Sequence, residues 1–545
     1  MTNVAKPKFG ASQKPDERAV ELVAKSRTHE LFLAVVGPVG AGGSRTISSF
    51  RRVCEASGYK CETIKASELI RQWGASETPP KIAPLERTLD NVELLQDMGD
   101  DMRSNDPTTV ARHVMREIAR RRASSQNQAY IPGEVVKPDD QKRVYLIDSI
   151  RHPAEVNLLR RTYGNSFALV AVVCEEKERT KRILDKYFTT PEKKKPEVVA
   201  HVEKFVKRDA DDITKRHGQH VTEAFYEADF FVDNTENDVD DISKLLDEKC
   251  GRLVDIISHA QVVRPTIEET AMHHAHSARV RSACMSRQVG AALLDSDGTV
   301  VATGANEVPA AGGGVYGENT GSNGHVHDDR CVFRQDRFCS SNREQNRIID
   351  ELIEQIEALR KVEDKQALAA QLRNTSLGGL LEFSRAVHAE MDALLSAGRE
   401  GVSTVGTRLF VTTFPCHYCA RHIVSAGVYE VQYIEPYPKS LALSLHKDAI
   451  EVDETKWIPP RRHSLQEIRA KAKSTIDFVD ATNPGKVLFR PFVGVAPRLY
   501  LRAFEKTWRL KDKVTGKFAM TAPEWGDEWS ALTIGYPELE AALTK

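Results

Sequence analysis

Val387-His388-Ala389-Glu390-Met391-Asp392-Ala393 and, beginning 25 residues after Glu390, Pro415-Cys416-His417-Tyr418-Cys419 are the two stretches that decide how the second half of this chain is read. One His and two Cys make three metal ligands of the kind zinc takes, which leaves a fourth tetrahedral position for water. Glu390, two residues past the His, is not needed as a ligand and can move the proton of that water. The order H-x-E…P-C-x-x-C is the pattern of zinc deaminases, which act at C4 of cytosine or C6 of adenine. A closed structural zinc site is the competing reading. It requires His417 or His422 as a fourth ligand and leaves Glu390 without a role.

The flanks place both ligand sets. Apolar residues at helical spacing run from Ser384 to Ala397, with Gly398 and Gly401 to stop the helix, and Arg408–Thr413 reads as a strand that delivers Pro415 to a second helix. His388, Cys416 and Cys419 are therefore expected at helix N-termini, whose positive ends favour thiolates. Upstream, Ser286–Asp295 and Gly298–Asn306 read as a hairpin closed by a Ser-Asp-Gly turn.

With these pieces in place the segment resembles the cytidine and deoxycytidylate deaminase family, and "Val-His-Ala-Glu-Met-Asp-Ala" with "Thr-Thr-Phe-Pro-Cys-His-Tyr-Cys-Ala-Arg-His-Ile-Val-Ser-Ala-Gly-Val" looks most like its deoxycytidylate branch. The resemblance implies a three-layer α/β/α domain, one catalytic zinc held by His388, Cys416 and Cys419, and Glu390 as the catalytic proton carrier. It implies Asn306 and Ala389 as substrate-binding residues, with Asn306 holding the sugar. Glu307 stands where the family has Gly, which puts borrowed allosteric nucleotide binding in doubt. The 81 residues between Asn306 and His388 include a Gly-rich loop with His325, His327, Cys331 and Cys339, and then a helical face of Ile348, Ile349, Leu352, Ile353, Ile356 and Leu359. Some deoxycytidylate deaminases bind a second, structural zinc here with a Cys that Cys284 could match. The spacing of this chain's residues departs from that ligand set, so the loop is expected to be solvated.

Nearer the start, the apolar run Leu31–Val36 leads into Gly37-Pro-Val-Gly-Ala-Gly-Gly-Ser44, which fits G-x-x-x-x-G-x-[ST]. Backbone N–H groups of such a P-loop and the helix after it cradle phosphates. Gly43 replaces the usual Lys, so the loop is expected to hold a regulatory nucleotide without hydrolysing it, through Gly37, Gly42, Gly43, Ser44, Arg45 and Thr46. Arg143–Asp148 reads as a strand ending in a metal-facing Asp148, and Phe167–Val173 and Ala228–Asn234 as further core strands. In this order they resemble the nucleoside-monophosphate kinases.

A P-loop kinase-like half followed by a deaminase half resembles the two-domain bacterial anti-phage deaminases. That resemblance implies conversion of free dCTP or dCMP to dUTP or dUMP, depletion of a pool that a phage needs, assembly into homo-oligomers, and restraint by a small inhibitory RNA. The expected organisation is a polar N-terminus (1–28), a kinase-like parallel-sheet domain (29–255), a deaminase domain (262–450) and an extension (451–545) packing on the deaminase. A housekeeping dCMP deaminase and a polynucleotide cytosine deaminase are the alternatives. A regulatory protein with a vestigial zinc site is a third, disfavoured because His388, Glu390, Cys416 and Cys419 are all present.

Composition narrows these. The 545 residues carry 77 Lys and Arg against 78 Asp and Glu, a net charge of −1, so no global charge favours a polynucleotide. Nine cysteines without a periodic framework fit a reducing compartment. The first 28 residues lack the apolar core of a signal peptide, and no window reaches the length of a membrane span, so a cytoplasmic enzyme is expected.

Overall fold

Leu31-Phe-Leu-Ala-Val-Val36 is buried along its whole length, as an apolar run must be when both faces of a parallel sheet are covered. The computed structural model describes residues 28–545 apart from 82–83, 85, 87, 140, 211–217, 236–238, 318–327, 335–336, 381–382, 438–439, 461–484, 506–510 and 519–534. It divides into two compact units, Met1–Arg264 with Leu501–Lys545, and Pro265–Tyr500. No helix among the described residues is long and apolar enough to cross a membrane.

In the first unit β1 (Glu30–Val36), β2 (Lys60–Lys65), β3 (Arg143–Asp148), β4 (Phe167–Val173) and β5 (Phe230–Asp233) run parallel in the order β5-β4-β1-β3-β2. The glycine-rich segment leaves the carboxyl end of β1 and enters helix Gly43–Ala56, and Asp148 closes β3 beside it. Carboxyl ends of strands are where open α/β sheets place ligands. Sequence reading does not find β2, whose Lys-Cys-Glu-Thr-Ile-Lys carries one buried side chain, Ile64. At the outer end of this run of strands, with β3 as its partner, it needs little apolar surface.

In the second unit the order is β10 (Ile450–Glu451), β11 (Val487–Pro491), β9 (Glu430–Glu435), β8 (Arg408–Thr413), β6 (Gly290–Leu294), β7 (Val300–Ala305). β6 is antiparallel to β7 and β8, and the rest are parallel. Two glycines set the layers. A Cβ on Gly290 would fall 2.0 Å from the Ala275 carbonyl of helix Ile267–Arg279, and one on Gly304 would fall 2.1 Å from the Ala389 carbonyl of helix Ala389–Arg399. The register pairs Gly290 with Ala305 and Gly304 with Ala291, so the glycines face opposite sides and a helix packs on each.

Three expectations change. The helix expected from Ser384 starts at Ala389, because Val387 exchanges two backbone hydrogen bonds with Glu307 and so has neither its N–H nor its carbonyl free for a helix. The amphipathic helix expected through Leu359 is Ser340–Gln355; Ile349 and Ile353 are buried, while Ile356 turns extended and exposed. The extension expected to pack on the deaminase divides instead. Val487–Pro491 enters the second unit's sheet between β9 and β10, whereas Leu501–Lys545 belongs to the first unit. There the fully buried Arg122 lies between Glu30 (2.9 Å) and Glu540 (2.5 Å), and Tyr163 and Tyr536 donate to Glu540 and Glu30. A buried guanidinium is tolerable only when paired in this way, which fixes helix Pro537–Leu543 on this unit.

Candidate active site

His388 caps helix Ala389–Arg399, and Cys416, which follows Pro415, caps helix His417–Ser425. His388 Nδ1 lies 3.3 Å from Cys416 Sγ and 3.4 Å from Cys419 Sγ. Ligands around one tetrahedral zinc stand about 3.5 Å apart for bonds of zinc–sulfur and zinc–imidazole length. The set therefore fits a single ion with His388 bound through Nδ1. Among the described residues this grouping contains no fourth His, Cys, Asp or Glu ligand. His422, a candidate for closing the site, is turned to the Tyr418 carbonyl at 2.6 Å.

The three ligand side chains lie in hydrogen-bond contact with one another. Hydrogen bonding to Cys416 holds His388 up at about 9, and hydrogen bonds from Cys419 and His388 draw the Cys416 thiol down to about 4. Cys419 is pushed up by its bond with Cys416 and by burial. A divalent cation takes the place of such protons when it binds. Glu390 is almost fully buried beside them, and burial, with the charge of Cys416, pushes its carboxyl up to about 7.

Other predicted residues are placed less simply. Asn306, at the end of β7, accepts the Val289 N–H through Oδ1 (2.6 Å) and donates to the Arg287 carbonyl through Nδ2 (2.7 Å). It holds the loop 282–288 in place, and each end of the amide keeps capacity for one further bond. An open cavity of about 370 Å³ is lined by Ser282, Ala283, Cys284, Met285, Arg287 and Gln288 of that loop. Ala389 is fully buried against β7 at Gly304. Of the suggested second-zinc residues, His325 and His327 lie outside the described residues; Cys284, Cys331 and Cys339 are free thiols.

Sequence reading overlooked the part that three residues play in holding this geometry. Asp392, buried one turn after His388, accepts the Ala305 N–H at 3.0 Å and so ties the helix to the end of β7, next to Asn306. Glu307 accepts the N–H groups of Ala283 (2.6 Å) and Val308 (2.8 Å). It stands where the family has glycine, a departure visible in sequence, while these bonds have no local signal. Ser440 donates to the Pro415 carbonyl at 2.8 Å, a contact across 25 residues with no local signal.

In the first unit Ser44 Oγ donates to Asp148 Oδ2 at 3.1 Å, bringing two of the predicted residues together. Gly42 adopts the left-handed conformation, φ 91°, at the start of the helix. Gly43 follows as its first residue. Arg45 donates to Asn234 (3.3 Å), and Thr46 is buried with its hydroxyl on the Gly42 carbonyl (3.4 Å).

Residues 265–435 match the family described as "Cytidine and deoxycytidylate deaminase zinc-binding region". ComE operon protein 2 of Bacillus subtilis (strain 168) is 29% identical over 131 residues, 22% of this chain and 66% of that protein, just under two thirds of its length. The deoxycytidylate deaminase of Enterobacteria phage T4 is 28% identical over 171 residues, 31% of this chain and 79% of its own. Among solved structures, dCMP deaminase from the cyanophage S-TIM5 in complex with dCMP and dUMP shares 20% identity over 34% of this chain and 93% of its own, at a TM-score of 0.21. Over residues 265–435, which hold His388, Glu390, Cys416 and Cys419, the chain thus matches the zinc-binding region of the cytidine and deoxycytidylate deaminase family.

Proposed function

We propose that the second unit hydrolyses the exocyclic amine of free deoxycytidine nucleotides, turning dCMP or dCTP and water into dUMP or dUTP and ammonia. The observation that carries this reading is Glu390, buried beside His388, Cys416 and Cys419, which are spaced to hold one zinc. When bound, zinc supplies the Lewis acidity that makes water a nucleophile near neutral pH. Glu390 accepts one proton of the attacking water on a carboxylate oxygen and gives it to N3 of the base, then takes the second from the hydroxyl now on C4 and gives it to the amine, which departs as ammonia. Asn306, already fixed at both ends of its amide, offers its remaining hydrogen-bonding capacity to the sugar. The deoxycytidylate deaminases named among its relatives support the nucleotide as substrate. Depletion of the deoxycytidine pool against phage is the role we assign to this activity, on the resemblance of the two-part architecture.

The purified chain, offered equimolar dCMP and dCTP and, separately, CTP and single-stranded DNA, tests the reading by chromatography of uracil products. dUMP or dUTP is the expected product. Turnover confined to DNA would transfer the assignment to a polynucleotide deaminase, and no uracil product from any of them would overturn it.

A further inference from the structure

The glycine-rich segment of the first unit already faces an anion, and that anion belongs to the protein. Asp209 sits near the end of helix Pro196–Ala210 and is 1% exposed. Its Oδ2 accepts the backbone N–H of Val39, inside the loop, at 2.7 Å. Its Oδ1 accepts Arg151 Nη1 at 2.6 Å and Gln96 Nε2 at 3.4 Å, and Arg151 Nη1 also lies 3.4 Å from the Gly37 carbonyl. The contact is fitted as well as charged. The Val39 side chain packs against the cluster of Ile183, Val202, Phe205 and Val206, so the helix that carries Asp209 is seated on the loop by apolar burial.

The neighbouring turns leave little room. A Cβ on Gly40 would fall 2.8 Å from the Arg179 carbonyl, and one on Gly42 would fall 2.0 Å from Asn234 Nδ2, which donates to the Ala41 carbonyl at 2.6 Å. At the other end of the segment, Ser44 and Asp148 present a hydroxyl and a carboxylate side by side, the oxygen donors that a magnesium polyphosphate uses.

We infer that Asp209 is a built-in occupant of this loop, standing where the terminal phosphate of a nucleoside triphosphate would take the Val39 N–H and the Arg151 guanidinium. A phosphate and the Asp209 carboxylate need the same donors, and two anions cannot share them. Binding of a nucleoside triphosphate by the first unit therefore requires Asp209 to leave. The loop is closed by its own chain, in addition to lacking the usual lysine at Gly43.

Titration of the full-length chain with a fluorescent ATP analogue and Mg²⁺ tests this. Wild type is compared with Asp209→Asn, which keeps shape and one acceptor but removes the charge, and with Asp209→Ala. Asp185→Asn, at an exposed acid paired with Lys193, controls for a general loss of negative charge. Both Asp209 variants should bind at least about tenfold more tightly than wild type and the control. Equal affinity in all four proteins would overturn the inference, because Asp209 would not be competing. Absence of binding in every variant would overturn it equally, because the loop would not be a phosphate cradle. Should Asp209→Ala fail to fold, Asp209→Asn decides the matter.

Discussion

Glu390 is the residue whose removal separates chemistry from architecture. It is no part of the three-ligand grouping, so Glu390→Ala should retain the metal, read by elemental analysis, while deamination falls by roughly 10²–10⁴-fold, the usual contribution of a positioned proton carrier. Cys416→Ala should lose the metal itself. Near-normal turnover in Glu390→Ala would remove the mechanism assigned here. A second residue-scale expectation concerns stability. Burial, with Arg116 and Arg112 nearby, lowers the pKa of His113 from 6.5 to about 4. A His depressed in the folded state is protonated earlier in the unfolded chain, so it contributes stability above about pH 6.5 that is lost as pH falls towards 4. Denaturant midpoints of wild type and His113→Gln between pH 7 and 4 should show the shallower acid decline in the variant.

Elements meet here through positions that carry no side chain. Gly304 lets helix Ala389–Arg399 approach β7 so closely that a methyl group would stand 2.1 Å from the Ala389 carbonyl and 2.4 Å from the Ala393 nitrogen. Gly304→Val must push the helix outward. Overpacking of this kind costs about 1–3 kcal/mol, and because His388 caps the displaced helix, zinc occupancy should fall together with the melting temperature. Unchanged metal content in a destabilised Gly304→Val would show that the ligand set is held by β8 and its helix without this contact. The periodicity of 389–397 shows a helix in the sequence. Its true start is not visible there, since Ser384–Val387 has the same apolar spacing and only the pairing of Val387 with Glu307 keeps it out of the helix.

At the scale of the whole molecule, the last residues of the chain complete the first unit. Removal of 536–545 would leave Arg122 buried with only Glu30 as its acid partner and uncover Tyr163. Breaking a buried pair by removing one partner costs about 3–5 kcal/mol, so this truncation should make the first unit unfold at lower denaturant, monitored by proteolysis within residues 28–264. Glu540→Gln, which keeps the shape and removes the charge, should give part of the same loss. Resistance equal to wild type in both would show that the tail is dispensable to that unit.

Much of this protein is legible in sequence because its determinants are local. An apolar run followed by glycines announces β1 and its loop. His388, Glu390, Cys416 and Cys419 carry the pattern of zinc deaminases, because a metal and a proton carrier demand those residue types at short fixed spacing. What tertiary structure alone decided are matters of long-range pairing. β2 is a strand by its pairing with β3, and Val487–Pro491 becomes one by entering between β9 and β10. Asp392, Glu307 and Ser440 acquire roles from backbone groups 24 to 87 residues away. Asp209 meets Val39 across 170 residues, and Glu540 meets Arg122 across 418. Such contacts leave no periodic trace in the chain, because a buried charge is specified by the partner that folding brings to it and not by its neighbours in sequence.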